Sequence, residues 1–295
     1  MKKTDIILGY RCNNNCIFCS TAHFPKTQVA KEKIKQQILE SKKNKADEIC
    51  FTGGEPTIRK DIIEIVSFAG RQNFKQIYID SNGRLFYYKK FCEKIINAGA
   101  TSFLIPFYAA DRETFKLITG SEHAYEQTLE GIKNLINLNQ KVDVNIVLVK
   151  QNITQLSKIV NLLLNYKVKN ILFWGCCPIN NPKFNFKKII PNPKDAAYYL
   201  NKTLDSYEQK ISHISINGIP PCKIKKYDKY FVWKYTYMSV LLGHNWKIDD
   251  LEKQKLDNSI KGKICSSCKR VETCPGIWKE YFKYYHEEEF ELMPY

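Results

Sequence analysis

The sequence predicts an α/β protein: a partial (β/α)6 TIM-type barrel followed by a small Cys-rich C-terminal domain. Strand-like and helix-like segments alternate over the first two-thirds of the 295 residues, the pattern of βα units on a parallel sheet. Six such units are too few for a closed eight-stranded barrel but enough for an open one. A Pro- and Asn-rich stretch at 180–193 then breaks the alternation, and from about residue 211 the chain becomes aromatic-rich with closely spaced cysteines. The division is therefore placed at 210, with the barrel in 1–210 and the appendage in 211–295.

The strands are expected at 5–10, 48–52, 76–81, 102–107, 143–149 and 170–174. Each is short, apolar and rich in Ile, Val, Phe or Leu, as a strand buried on both faces should be. Helices are expected between them. Residues 31–41 place Ile34, Ile38 and Leu39 on one face, and 61–68 gather Ile62, Ile65 and Val66. Residues 125–138 repeat Leu129, Ile132, Leu135 and Ile136 at helical spacing, and 155–165 do the same with Leu156, Ile159, Val160 and Leu163. A last helix is expected at 196–209.

Hydrophobic residues make up 44% of the chain, enough for a substantial core. No apolar run reaches the length of a membrane span. The N-terminus lacks the apolar stretch of a signal peptide, so the protein reads as cytoplasmic. In a reducing compartment the eleven cysteines are metal ligands, reactive thiols or small core residues rather than disulfides. The net charge of +16 would suit RNA, an acidic peptide or an anionic cofactor. The lysines are spread along the whole chain and no RNA-binding module accompanies them, which argues against nucleic acid. The five histidines, at 23, 123, 213, 244 and 286, form no metal-ligand pair.

Cys12, Cys16 and Cys19 form C-x3-C-x2-C in an Asn-rich loop directly after the first strand. Thiolates are the usual ligands of iron–sulfur clusters. Three of them can wrap a cubane and leave one iron open to a small molecule. Zinc is the rival, but it prefers four protein ligands or a trio containing His. Gly53-Gly54-Glu55-Pro56 follows the second strand and Ser81-Asn82-Gly83 the third. In parallel βα architectures ligands bind at these strand ends.

With Phe18 before the last Cys, these motifs resemble the radical S-adenosylmethionine superfamily over about the first 210 residues. Ile118-Thr119-Gly120 and the helix from Tyr125 resemble its peptide-maturing members. The resemblance implies that Cys12, Cys16 and Cys19 hold a 4Fe–4S cluster whose open iron chelates S-adenosylmethionine. It implies cofactor contacts from Phe18, Gly53, Gly54, Glu55 and Pro56. Ser81 and Asn82 offer groups suited to a ribose, with Asn145 and Lys150 as further candidates for ribose and carboxylate.

Cys265, Cys268 and Cys274, with Cys222 upstream, resemble the SPASM and twitch domains that hold auxiliary 4Fe–4S clusters. The full SPASM pattern has a Cys four residues after Cys274, where this chain has Trp278. One auxiliary cluster is therefore expected, with a zinc knuckle as the rival. Cys50 and Cys92 sit in apolar patterns and read as core. Cys176 and Cys177 follow the sixth strand and should face the cofactor loops, as a hydrogen-atom donor, a substrate contact or merely a lining.

The resemblance implies reductive cleavage of S-adenosylmethionine to a 5′-deoxyadenosyl radical that takes a hydrogen atom from substrate. It points to a ribosomally made peptide or protein, modified by crosslink, thioether or epimerisation. A sugar or aminoglycoside is the alternative, and an iron–sulfur electron carrier or scaffold without turnover is the reading from another class. A flavodoxin- or ferredoxin-type reductant is implied. No peptide-recognition domain precedes Cys12, so a leader peptide, if one is bound, is expected to dock elsewhere on the chain or on a separate leader-peptide-binding protein.

Overall fold

The computed structural model describes residues 2–177, 185–232, 238–241, 247–248 and 256–286. The break expected at 180–193 lies partly, and His244 wholly, outside the described residues.

The sheet is built from β1 (Lys3–Ile7), β2 (Glu48–Thr52), β3 (Gln76–Asp80), β4 (Ser102–Pro106), β5 (Lys141–Leu148), β6 (Asn170–Gly175), β7 (His213–Asn217), β8 (Met238–Leu241) and β9 (Lys247–Ile248). Their order is β7-β6-β5-β4-β3-β2-β1-β8-β9. Every pairing is parallel except that of β8 with β9. An open, mostly parallel α/β sheet is thus what the alternation predicts.

Two differences have local causes. The first strand ends at Ile7, not at residue 10, because the chain leaves the ladder at Gly9. There φ is +141°, and Tyr10 N–H turns to the Thr27 carbonyl at 2.9 Å. A seventh parallel strand, β7, lies beyond residue 210 and pairs with β6 from Asn170↔His213 to Trp174↔Asn217. The sheet therefore continues across the division placed there.

The helices are α1 (Lys31–Lys43), α2 (Ile62–Gly70), α3 (Lys89–Asn97), α4 (Arg112–Thr119), α5 (Ala124–Asn137), α6 (Leu156–Asn165), α7 (Phe186–Ile189) and α8 (Pro193–Tyr207). The apolar stripes of α2 and α6 are buried as their spacing predicts, and so are Ile34 and Ile38 of α1 and Leu129, Ile132 and Leu135 of α5, whereas Leu39, expected on the α1 stripe, is exposed. Three helices were not anticipated, among them the short α7 inside the stretch expected to break the pattern. Of these, α3 buries Cys92 and Ile95, and α4 buries Phe115 and Ile118. The core joins these stripes to the strand residues Ile6, Phe51, Ile79, Phe103, Val144, Ile171 and Phe173. Each fully buried side chain of this size contributes roughly 1.5–3 kcal/mol. Among the described residues no helix is long and apolar enough to cross a membrane.

The C-terminal segment adds the antiparallel pair β10 (Ser259–Ile260) and β11 (Ile277–Trp278). It is anchored by aromatic packing. The Phe186 ring stacks on Tyr284 at 4.4 Å and meets Tyr281 edge-on at 5.2 Å.

Candidate functional site

The loop carrying Cys12, Cys16 and Cys19 is held from three sides. The C-terminus of α4 supports it, with Asn15 N–H on the Thr119 carbonyl at 2.8 Å and Ile17 N–H on Ile118 at 3.0 Å. Gly120 then ends the helix in the left-handed region at φ +64°. A β-carbon there would lie 3.0 Å from the Asn15 carbonyl. The Ile118-Thr119-Gly120 motif is thus a seat for the cysteine loop.

From the second side comes the Gly53–Glu55 segment. Gly54 N–H bonds the Gly9 carbonyl and Glu55 N–H the Arg11 carbonyl, both at 2.8 Å. A β-carbon on Gly54 would stand 2.3 Å from the Arg11 carbonyl oxygen, and one on Gly53 2.4 Å from that of Gly9. These glycines admit the cysteine loop itself to close backbone contact.

Asn82 and Arg84 form the third side. Asn82 Nδ2 donates to Asn13 Oδ1 at 2.7 Å and points at Cys12 Sγ at 3.9 Å. Arg84 donates to the Asn13 carbonyl, to Asn14 Oδ1 at 2.8 Å and to Gln127 Oε1 of α5 at 2.7 Å. Arg84 was not anticipated; its position one residue after Ser-Asn-Gly was the available signal.

Glu55 clamps the motifs together. Its buried carboxylate accepts from Thr57 N–H and Oγ1, from Ser81 Oγ at 2.7 Å and from Asn82 N–H at 2.7 Å. Burial raises its pKa against these hydrogen bonds. Glu55 and Pro56 are buried beside the cavity rather than on its wall. The Ser81 hydroxyl, expected on a ribose, is engaged with Glu55 and with Gly83 N–H.

At the C-terminal ends of the strands these loops surround a cavity of about 480 Å³, within the usual size of ligand sites. Cys12, Cys16, Cys19, Phe18, Gly53, Gly54, Ser81, Asn82, Asn145, Cys176 and Cys177 all line it, joined by Thr52, Asp80, Tyr108 and Trp174. Lys150 is not part of this wall. Its ammonium reaches out to the Lys187 carbonyl at 2.7 Å.

The wall fits a metal–sulfur group and a polar ligand. Burial raises the Cys12 thiol, and the Glu55 and Cys19 charges add to that. Cys16 is likewise raised by burial and by the charges of Cys12 and Cys19. A positive centre stabilises cysteines gathered this closely as thiolates. Among the described residues, no three His, Cys, Asp or Glu converge on a single-ion site. A cubane gives each thiolate its own iron, so its ligands need no common point. Asn145 is only 7% exposed, and its Oδ1 has no hydrogen-bond partner among the described residues. An orphaned buried acceptor on a cavity wall awaits a donor from a ligand.

Cys176 is buried and Cys177 half-buried. Gly175 before them abuts Gly218, where a β-carbon on Gly175 would meet the Gly218 carbonyl oxygen at 2.5 Å. Cys222 follows four residues later. The Cys274 thiol is raised by burial first, and then by Cys222, Cys265 and Cys268, so these four cysteines are gathered in one neighbourhood. Cys50 and Cys92 are buried core residues, as expected.

A family model described as the radical SAM superfamily matches residues 6–163. A probable GTP 3′,8-cyclase of Saccharolobus solfataricus is 31% identical over 243 residues, 80% of this chain and 71% of that protein. SuiB of Streptococcus suis, bound to its precursor peptide SuiA, superposes with a TM-score of 0.68 at 16% identity. That match covers 85% of this chain and 60% of SuiB, so the chain spans about three-fifths of SuiB's length. The protein anSMEcpe with bound AdoMet and the Cp18Cys peptide superposes at 0.67 and 14% identity, over 98% of this chain and 96% of that one. At these identities the two structures speak for the fold alone.

Proposed function

The chain belongs to the radical S-adenosylmethionine superfamily, and from that premise we propose that it is a maturase of a ribosomally made peptide or protein. The observation that carries this is the cavity. Its lining brings Cys12, Cys16 and Cys19 together with Gly53, Gly54, Asn82 and Asn145 and with Cys176 and Cys177. When bound, S-adenosylmethionine on a 4Fe–4S cluster supplies the radical that removes a substrate hydrogen atom.

In this reading Cys12, Cys16 and Cys19 hold the cluster, and the Asn145 amide receives a hydroxyl of the nucleoside. Phe18, packed edge-on to Tyr108 at 5.2 Å, borders the adenine. Lys150 contributes no contact. Cys177, the less buried of the vicinal pair, faces the substrate as a hydrogen-atom donor. Cys222, Cys265, Cys268 and Cys274 hold one auxiliary cluster in a twitch-like C-terminal segment that follows β7. A flavodoxin- or ferredoxin-type protein supplies the electron.

The 31%-identical relative is named for a nucleotide substrate, which is the second reading. A triphosphate calls for Arg, Lys or a metal at its oxygens. Among the described residues lining the cavity none is Lys or Arg, and Asp80 adds a carboxylate. The wall therefore favours a peptide, or a neutral or basic small molecule such as an aminoglycoside, over a nucleotide.

The test is anaerobic reconstitution with iron and sulfide, followed by S-adenosylmethionine and dithionite. Formation of 5′-deoxyadenosine is expected, and its absence would reduce the protein to an electron carrier or scaffold. Peptides encoded beside the gene should then change mass, while GTP and aminoglycosides are recovered intact. Consumption of GTP with the peptides untouched would overturn the peptide reading.

A further inference from the structure

Asp80 belongs to none of the cofactor motifs, yet it stands on the cavity wall. It ends β3, level with Thr52 of β2 and Ile7 of β1, and all three line the cavity. Among the described residues its carboxylate accepts a single hydrogen bond, from Thr52 Oγ1 at 2.8 Å.

Two residues back along the same strands lie Asp5, Cys50 and Tyr78, in register with one another. That layer supplies a second carboxylate, Asp5, and the Lys3 ammonium stands 3.6 Å from it and 4.6 Å from the Tyr78 ring centroid. Lys3 experiences the charges of both Asp5 and Asp80. One ammonium cannot neutralise two ionised carboxylates. The floor of the cavity thus carries surplus negative charge whenever both are ionised, which is costly in a poorly hydrated site unless a cation offsets it. No Lys or Arg from the described cavity lining does so. The remaining wall contains Tyr108, Phe18 and Trp174, whose ring faces also favour a cation.

We propose that Asp80 sets the specificity of the cavity by receiving a cationic hydrogen-bond donor of the substrate, a primary ammonium or guanidinium such as ends a Lys or Arg side chain. The inference rests on the reading that substrate meets S-adenosylmethionine in this cavity. The sulfonium of S-adenosylmethionine is also a cation, but it has no N–H or O–H to give a carboxylate. Its amino group is expected on the open iron.

The test uses reconstituted holoenzyme loaded with S-adenosylmethionine. Binding of n-butylammonium and n-butylguanidinium is measured by calorimetry against the neutral butyramide, on wild type and on Asp80→Asn. Wild type should prefer the cations roughly tenfold or more, as a charge-assisted hydrogen bond implies, and Asp80→Asn should lose the preference. The same preference in Asp80→Asn, or no saturable binding of the cations by wild type, overturns the proposal. Loss of S-adenosylmethionine binding in Asp80→Asn also overturns it, since the carboxylate would then serve the cofactor.

Thr52→Val removes the one hydrogen bond but keeps the charge, so it should retain the cation preference even where Asp80→Asn fails to take up iron. Loss of the preference in Thr52→Val would overturn the proposal. Failure of the underlying reading shows separately, as wild type forming no 5′-deoxyadenosine.

Discussion

Two carboxylates at the strand ends, Glu55 buried and Asp80 half-buried, have different tasks, and their chemistry separates them. Glu55 accepts from four donors, two on Thr57 of its own segment and two on the Ser81-Asn82 segment, so it holds the motifs in place. Glu55→Ala would leave buried N–H and O–H groups unpaired, each costing about 1–3 kcal/mol. A loss of about 3 kcal/mol is expected in urea unfolding, with Glu55→Gln losing less because it keeps an acceptor. Asp80 has one such partner, and burial raises its pKa to about 6, with Asp5 and Glu55 adding to the rise and Thr52 and Lys3 opposing it. The Cys50 thiol lies in the same layer as Asp5 and stays protonated through burial. The native state therefore keeps a proton on Asp80 that the unfolded chain has already released. Its contribution to stability is complete below about pH 4 and is lost as pH rises through about 6. Asp80→Asn cannot ionise. Its urea midpoint should gain on that of wild type between about pH 4 and about pH 6 and hold a constant lead above that, and parallel profiles would refute the assignment.

The loops work because segments distant in sequence share backbone contacts. The Gly53–Glu55 segment lies against the cysteine loop with no room for a β-carbon. Gly54→Ala would drive its methyl group into the Arg11 carbonyl, beside Cys12. Overpacking of this kind costs about 1–3 kcal/mol, and here it also displaces a cluster ligand. Reconstituted Gly54→Ala should retain less iron and less S-adenosylmethionine than wild type. Gly131 on α5 raises the same issue, since a β-carbon there would meet the Gly83 carbonyl oxygen at 2.3 Å. Gly131→Ala should weaken nucleoside binding through a helix that never touches the cavity, read as a raised Kd for S-adenosylmethionine at unchanged iron content. These contacts explain what the sequence made legible. Local spacing exposed the three-cysteine loop, the two motifs at strand ends and the apolar stripes of α1, α2, α5 and α6, because each is written within a dozen residues. The engagement of the Ser81 hydroxyl by Glu55 and the grip of Arg84 on Asn13 and Asn14 join segments 26 and about 70 residues apart. No local pattern encodes such pairings. In β7, Ile214 and Ile216 alternate with Ser215, but the strand was hidden by the cysteine-rich context that follows it.

At the scale of the whole molecule, the C-terminal segment is tied to the barrel beside the cavity. Gly175 and Gly218 touch backbone to backbone, and Phe186 packs on Tyr281 and Tyr284. Buried Tyr281 in turn feels the charges of Cys176 and Cys177, although burial is the main cause of its raised pKa. Cys222 follows Gly218 by four residues, so the C-terminal cysteine group is joined to the chain beside the vicinal thiols through the Gly175–Gly218 contact. If that group holds its own 4Fe–4S cluster, the two metal sites are separable by substitution, because each set of thiols sits on its own backbone loops. Wild type should then carry about eight iron atoms and Cys12/Cys16/Cys19→Ala about four. The variant lacking the four C-terminal cysteines should also keep about four, and it alone should still bind S-adenosylmethionine. If zinc occupied the C-terminal site instead, the triple variant would lose all its iron and retain one zinc per chain by metal analysis. Loss of all metal from the triple variant would mean that the four C-terminal thiols, though gathered, serve packing rather than ligation.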